Sequence, residues 1–322
     1  MKTRTLGEKK NMWKIIAIIL IIVDLVVLCL KGCGAVMDKA QSVPEDYTKK
    51  VQTGGDIEAK YLAMGTHEVS YKEIPAMMSF KKYEIFYPSD MADMDSPLPA
   101  VIFVNGTGIK GTKYQALQKH LASRGFITVA TDEENAWNGF SAEMSVRYLE
   151  TLNTYKDDKE DNIFYGKIDM DAIGITGHSQ GGIGVINAIT DQKHASVYKA
   201  AVALSSTQTD MAKALQWDSD ASEIRTPFLM ISSTGSTDEK ITLLSAMQAT
   251  FASIPDSVTK VLARRNTGDH GEMLYSGDGY VTAWFAYYLQ GDEEAGKAFF
   301  GSSPEISSNE LYQDVEISAG EK

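Results

Sequence analysis

The stretch Ile173-Gly174-Ile175-Thr176-Gly177-His178-Ser179-Gln180-Gly181-Gly182-Ile183-Gly184 decides how the rest of the chain is read. A short apolar run ends in Gly177-His178-Ser179-Gln180-Gly181, and a small-residue helical pattern, Val185 to Ile189, follows at once. This is a G-x-S-x-G turn in strand–turn–helix context, the setting of a nucleophile elbow. A serine hydroxyl is a weak nucleophile, so it must stand on a sharp turn where a base can reach it. Glycines at 177 and 181 let the two backbones pass close to that serine. The following helix directs its first N–H groups at the oxyanion formed on attack.

Outward from this point, apolar runs alternate with helical patterns. Val69, Tyr71 and Ile74 suit an early strand, and Tyr83 to Tyr87 alternates as a second. Ala100 to Val104, Phe126 to Ala130, Ala200 to Leu204, Phe228 to Ile231 and Lys260 to Leu262 read as further strands. Helices are expected over Tyr114 to Arg124, Ala142 to Tyr155 and Thr242 to Phe251. The expected fold class is α/β, a mostly parallel central sheet with helices on both faces.

If Ser179 is a nucleophile in an α/β-hydrolase, the acid and then the base must follow it in the chain. Two histidines do. His194 lies in a polar stretch soon after the elbow and reads as surface, whereas His270 falls in the loop after the Lys260 to Leu262 strand, where the base belongs. The acid should follow the Phe228 strand, which makes Asp238 the candidate and Glu239 the reserve. His67 and His120 precede the serine and read as surface. In this scheme His270 takes the Ser179 proton, Asp238 orients the imidazole, and the N–H groups of Gln180 and Thr107 hold the oxyanion. The chemistry needs no metal or organic cofactor.

A rival reading starts from Gly106-x-Gly108-x-x-Gly111, which follows a strand, precedes a helix and has Asp132 twenty-one positions beyond Gly111. That is the letter pattern of a dinucleotide-binding oxidoreductase. Against it, two strands come earlier, and Lys110 and Thr112 occupy positions where helix–strand packing prefers small apolar residues. A hydrolase uses the same glycines to bring a backbone N–H to the oxyanion. A non-catalytic binding protein on the same fold is a third reading, for which a full nucleophile, acid and base set would be superfluous.

Val104 to Gly108, Leu121 to Phe126, Gly177 to Gly182 and Tyr280 to Phe285 together resemble the dienelactone-hydrolase and polyester-hydrolase-like branch of the α/β-hydrolases, which includes cutinase-like and chlorophyllase-like enzymes. The similarity runs from about Tyr61 to Gly301 in the family's order. It implies an α/β-hydrolase fold and a carboxylic-ester hydrolase whose Ser-Asp-His set maps onto Ser179, Asp238 and His270. Two departures stand out. Polyester hydrolases carry an aromatic residue at the position of Thr107, and a tryptophan where this chain has Ser205-Ser206-Thr207-Gln208. An aromatic clamp for terephthalate-like rings is therefore not expected. Trp137 and Trp217 are candidates for lining a different pocket or for ordinary packing.

The ends of the chain differ from its middle. Net charge is −12, yet residues 1–31 carry +4 and the remainder −16. So acidic a main body argues against nucleic-acid binding, which needs a basic surface to neutralise phosphates. Ile15 to Leu30 is apolar except for Asp24 and follows Lys9, Lys10 and Lys14. As a helix, Met12 to Leu30 would span roughly 28 Å, about one hydrocarbon thickness. The expectation is a basic cytoplasmic segment at 1–11, a transmembrane signal anchor at 12–31, a tether at 32–60, a catalytic domain at 61–301 and an acidic tail at 302–322. The catalytic domain would then face outwards on the cell membrane. A cleaved signal peptide ending near Ala35, or lipidation at Cys33, are the alternatives. Both cysteines, 29 and 33, lie in this leader, so the exported part can hold no disulfide and must rely on its core. The partners expected are an ester substrate, small or lipid-like, and the membrane.

Overall fold

The apolar runs become the strands of one sheet. A computed structural model describes residues 43–76, 80–156 and 162–320. The strands are β1 (Val69–Pro75), β2 (Lys82–Pro88), β3 (Leu98–Val104), β4 (Ile127–Thr131), β5 (Ile168–His178), β6 (Tyr198–Leu204), β7 (Phe228–Ser233), β8 (Lys260–Arg265) and β9 (Tyr312–Ser318). Their order across the sheet is β1-β2-β4-β3-β5-β6-β7-β8-β9. The six strands from β3 to β8 are parallel, and β1, β2 and β9 run antiparallel to their neighbours at the two edges. Chain order reverses beside β3, which has β4 on one flank and β5 on the other. In open α/β sheets ligands bind at such a switch, outside the carboxyl ends of the strands.

In chain order the helices are α1 (Tyr47–Lys50), α2 (Asp56–Leu62), α3 (Gln115–Ser123), α4 (Phe140–Thr154), α5 (Gln180–Thr190), α6 (Thr209–Ala214), α7 (Asp238–Ile241), α8 (Leu244–Ser253), α9 (Met273–Ser276), α10 (Asp278–Gln290), α11 (Glu293–Gly296) and α12 (Glu305–Ser308). Alternate strand residues point to opposite faces. Val101, Val202, Leu229 and Val261 join a core with Trp284 and Phe285 of α10 and Leu117 and Leu121 of α3. Ile102, Ala203, Met230 and Leu262 join the other core, with Val146 and Leu149 of α4 and Val185 and Ile186 of α5. Buried on both faces, these strands read as continuous apolar runs, which is why they were visible in the sequence.

Both ends of the described chain depart from expectation. The tract read as a tether to residue 60 carries α1 and α2, and Tyr47, Tyr61 and Leu62 are buried. Tyr47 donates to the Asp278 carboxylate at 2.5 Å, and Tyr61 donates to Asp292. Glu58 is buried against Arg265 at 2.9 Å and also accepts from Tyr312 and Asn309. The stretch read as an acidic tail supplies α12 and the edge strand β9, and the Glu305 carboxylate caps α2 by accepting from the Ile57 and Glu58 N–H groups. Each partner lies more than two hundred positions from its mate, so local composition carried no sign of it.

His120, expected at the surface, is fully buried, with Nε2 3.0 Å from the Ala63 carbonyl and Nδ1 2.7 Å from the Asp278 carboxylate. His67 is half-buried beside Asp90, and His194 is half-buried against the buried Glu143. Among the described residues no helix is long and apolar enough to cross a membrane; the anchor expected at 12–31, with Cys29 and Cys33, lies outside them.

Candidate active site

Strand β5 runs directly into α5, and the turn between them is Ser179 alone. Its backbone sits at φ 59°, ψ −120°, a conformation an L-residue adopts at a cost of about 1–3 kcal/mol. The surrounding packing enforces it. A Cβ on Gly177 would lie 2.3 Å from the Gly181 carbonyl oxygen, and one on Gly181 would lie 2.1 Å from that of Val104. Only glycine permits so tight a crossing of β5, α5 and β3. The Ser179 N–H donates to Leu204 O at 3.0 Å, and its carbonyl accepts from Gly182 and Thr207. Ser179 itself remains partly exposed, while its neighbours His178 and Gln180 are buried.

Strands β7 and β8 bring in the two other sequence candidates. Asp238 opens α7 after β7, His270 lies in the loop after β8, and both are buried. His270 Nδ1 stands 2.8 Å from Asp238 Oδ1. The second carboxylate oxygen, Oδ2, accepts from the Ser233 N–H at 2.6 Å, the Ser205 hydroxyl at 2.8 Å and the Ser233 hydroxyl at 3.0 Å. Burial alone would raise this carboxyl's pKa. The His270 contact and the donors on Oδ2 outweigh burial and hold it below the ordinary aspartate value. Glu239, the reserve acid, turns instead to Arg264 at 3.1 Å.

Two neighbours that the sequence reading did not single out fix His270 in place. The His178 ring lies 4.6 Å from the His270 ring, and its Nε2–H donates to the His270 carbonyl at 2.7 Å. Burial, reinforced by the adjacent His270, pushes the His178 pKa down to about 3, so this imidazole is neutral across the working range. Asp269 is the second. Its Oδ1 accepts from the N–H groups of Asp238 and His270, each at 2.8 Å, and of Thr237 at 3.0 Å. One carboxylate thereby joins the loops that carry Asp238 and His270. An acidic residue beside His270 was the only trace of this in the sequence, because its partners are backbone groups.

The glycine loop after β3 packs against the elbow. Gly106 lies over it, where an added Cβ would sit 3.3 Å from the His178 carbonyl and 3.7 Å from Ser179 Cβ. Asn105 anchors the loop through the Thr131 and Glu133 carbonyls, Gly106 N–H through the Tyr114 hydroxyl, and Gly108 N–H through Glu134 O. Thr107 is exposed at its tip. Among the described residues neither the Thr107 nor the Gln180 N–H has a hydrogen-bond acceptor, the latter because it opens α5. Helix α3 starts at Gln115, past a 3₁₀ turn at Gly111–Tyr114, so the glycines do not abut a helix N-terminus as a pyrophosphate site requires. Asp132 is buried at the end of β4. Trp137 and Trp217 are half-buried. No group of three or more His, Cys, Asp or Glu among the described residues could hold a metal ion.

The comparisons agree with this architecture. The profile of the PETase family, described as PET hydrolase-like, matches residues 46–316, which takes in both short N-terminal helices and the whole sheet save the last two residues of β9. No curated protein matches the chain. Matched over most of its length, the chain belongs to the PET hydrolase-like family, a polyester-hydrolase-like branch of the ester-cleaving α/β-hydrolases.

Proposed function

We propose that the chain is a serine hydrolase of carboxylic esters in which Ser179 attacks, His270 transfers the proton and Asp238 orients the imidazole. The observation that carries this reading is the 2.8 Å contact between His270 Nδ1 and an Asp238 carboxylate whose other oxygen is already engaged by three donors. With Nδ1–H committed to Asp238, Nε2 is the nitrogen left to accept the Ser179 proton. Ser179 Oγ adds to the ester carbonyl carbon, and the oxyanion is held by the N–H groups of Gln180 and Thr107. Each such donor typically lowers the barrier by about 2.7–4 kcal/mol. Collapse expels the alcohol, which takes its proton from His270. Water then cleaves the acyl-enzyme by the same steps, restoring Ser179 and releasing the acid.

Family membership supports ester cleavage, but not a particular polymer. Thr107, Ser206 and Thr207 offer hydroxyls where an aromatic clamp would stand. The substrate proposed is accordingly a soluble or lipid-like ester. Lys9, Lys10 and Lys14 ahead of the apolar run support anchoring by residues 12–31, with the hydrolase outside the cytoplasmic membrane. Cell fractionation tests that location: full-length chain in the membrane fraction supports the anchor, whereas a shortened or lipidated product replaces it with cleavage or with Cys33 modification.

The activity test compares a chain starting at Val43 with its Ser179→Ala variant on p-nitrophenyl esters. Hydrolysis by the first and a loss of several orders of magnitude in the second supports the reading. Equal rates in both overturn it.

A further inference from the structure

Behind the elbow lies a cavity of about 290 Å³ between the sheet and α8. Only Met247 of α8 is buried, so this helix leaves the sheet surface beneath it incompletely covered. The floor is Ala203, Phe228 and Met230 of β6 and β7, and one wall is Ile183 and Ile186 of α5. Small residues, Ala246 among them, face these from α8. The charged members, Lys213 and Asp220, are exposed and belong to the rim.

One end of the cavity lies one residue removed from Ser179. Ser206 and Thr207 line it, and the Thr207 N–H donates to the Ser179 carbonyl at 3.2 Å. Ser206 presses on α5 so closely that a Cβ on Gly182 would lie 2.5 Å from its Cβ. Ile183 follows Ser179 by four positions, about one helical turn of ~5.4 Å. The other end is Phe228, which pairs with Ala201 of β6, five positions before Ser206. From Ala201 to Leu204, the last residue of β6, the cavity follows the strand for roughly 10 Å at ~3.3 Å per residue. A space of about 290 Å³ held between the sheet and the helix lying over it is a narrow slot. Dry apolar cavities of ~150 Å³ already hold a benzene ring, and this slot's length suits an extended chain better than fused rings.

We propose that this slot receives an unbranched aliphatic arm of the ester, acyl or alkyl, of medium length, while the scissile carbonyl rests at Ser179. This rests on the ester-hydrolase reading above and adds the substrate class. The slot removes methylene groups from water, so each one added to the arm strengthens binding until the slot is full.

The test measures kcat/KM for p-nitrophenyl acetate, butyrate and octanoate, and for ethyl and octyl acetate, which vary the chain on the alcohol side. Wild type and Ala246→Phe are compared, and sodium octanoate binding is followed by calorimetry in each. The proposal expects at least a tenfold rise in kcat/KM from the acetyl to the octanoyl ester, or from ethyl to octyl acetate. Ala246→Phe should cut that octyl-to-short ratio about tenfold and weaken octanoate binding in parallel. An enzyme that hydrolyses acetate but shows a flat chain-length profile and no octanoate binding overturns the slot and leaves the hydrolase intact. Octanoate binding that is lost in Ala246→Phe, with no ester turnover in wild type, overturns the hydrolase reading instead. The wild-type profile decides even if Ala246→Phe does not fold.

Discussion

Replacing Asp238 with asparagine changes one atom and should silence the site through a tautomer. Asparagine offers one acceptor oxygen and one NH₂ group. At the position of Oδ2 stand two hydroxyls, which can rotate, and the Ser233 N–H at 2.6 Å, which can only donate. That N–H requires the amide oxygen to take the Oδ2 position, and the NH₂ must then face His270 Nδ1, now 2.8 Å from a donor. His270 can answer only by carrying its proton on Nε2, the nitrogen that in the proposed mechanism accepts from Ser179. The imidazolium also loses its counter-charge. In a serine triad such a change costs about 10⁴-fold in kcat, roughly 5 kcal/mol of barrier at ~1.36 kcal/mol per tenfold. Initial rates on p-nitrophenyl butyrate, with circular dichroism to confirm the fold, measure it. Glu239→Gln serves as control and should remain within about threefold, since Glu239 is engaged with Arg264. A fall of less than tenfold in Asp238→Asn, or an equal loss in Glu239→Gln, refutes the assignment.

Three further outcomes are expected. Asp269→Ala releases three backbone N–H groups and uncouples the two loops, so kcat should fall about 10–100-fold with KM little changed; Asp269→Asn keeps one acceptor and should recover most of it, while equal losses in both, or a loss confined to KM, count against a positioning role. Gly181→Ala drives a Cβ to 2.1 Å from the Val104 carbonyl and should destabilise by more than about 4 kcal/mol, whereas Gly166→Ala, at φ 67° with open space around it, should cost only about 1–2 kcal/mol; similar urea midpoints for the two would contradict the close approach at the elbow. His178 has its pKa pushed down to about 3 by burial, so between that value and the ordinary ~6.5 the unfolded chain binds a proton that the folded chain refuses. Stability from this group is full above pH 6.5 and declines as pH falls towards 3, by about 1.4 kcal/mol per pH unit at most; urea unfolding from pH 4 to 7 should show such a decline, and His178→Gln should reduce it.

What the sequence disclosed follows from range. Strands buried on both faces leave continuous apolar runs, so Ala100 to Val104 and Ala200 to Leu204 could be read locally. The elbow is legible because its glycines and serine lie within five consecutive residues, and Asp238 and His270 because chain order narrows the choice. Features built from distant pairs were invisible. Helix α2 owes its place to Arg265 and Glu305, and His120 is buried beside Asp278. Strand β9 shows no one-sided alternation of burial, since it lies at an edge, and its acidic sequence resembled a tail. Asp269 and His178 act through backbone partners, which leave no signature in residue type. The slot under α8 depends on how far a helix stands from a sheet, a distance no spacing rule encodes.

The most direct test of the account is covalent. Reaction with a fluorophosphonate, followed by peptide mapping in the mass spectrometer, should find a single adduct on Ser179, absent from Ser179→Ala and formed orders of magnitude more slowly in Asp238→Asn. A folded chain that takes up no probe, or takes it up at a residue other than Ser179, would contradict the assignment of this serine as the nucleophile.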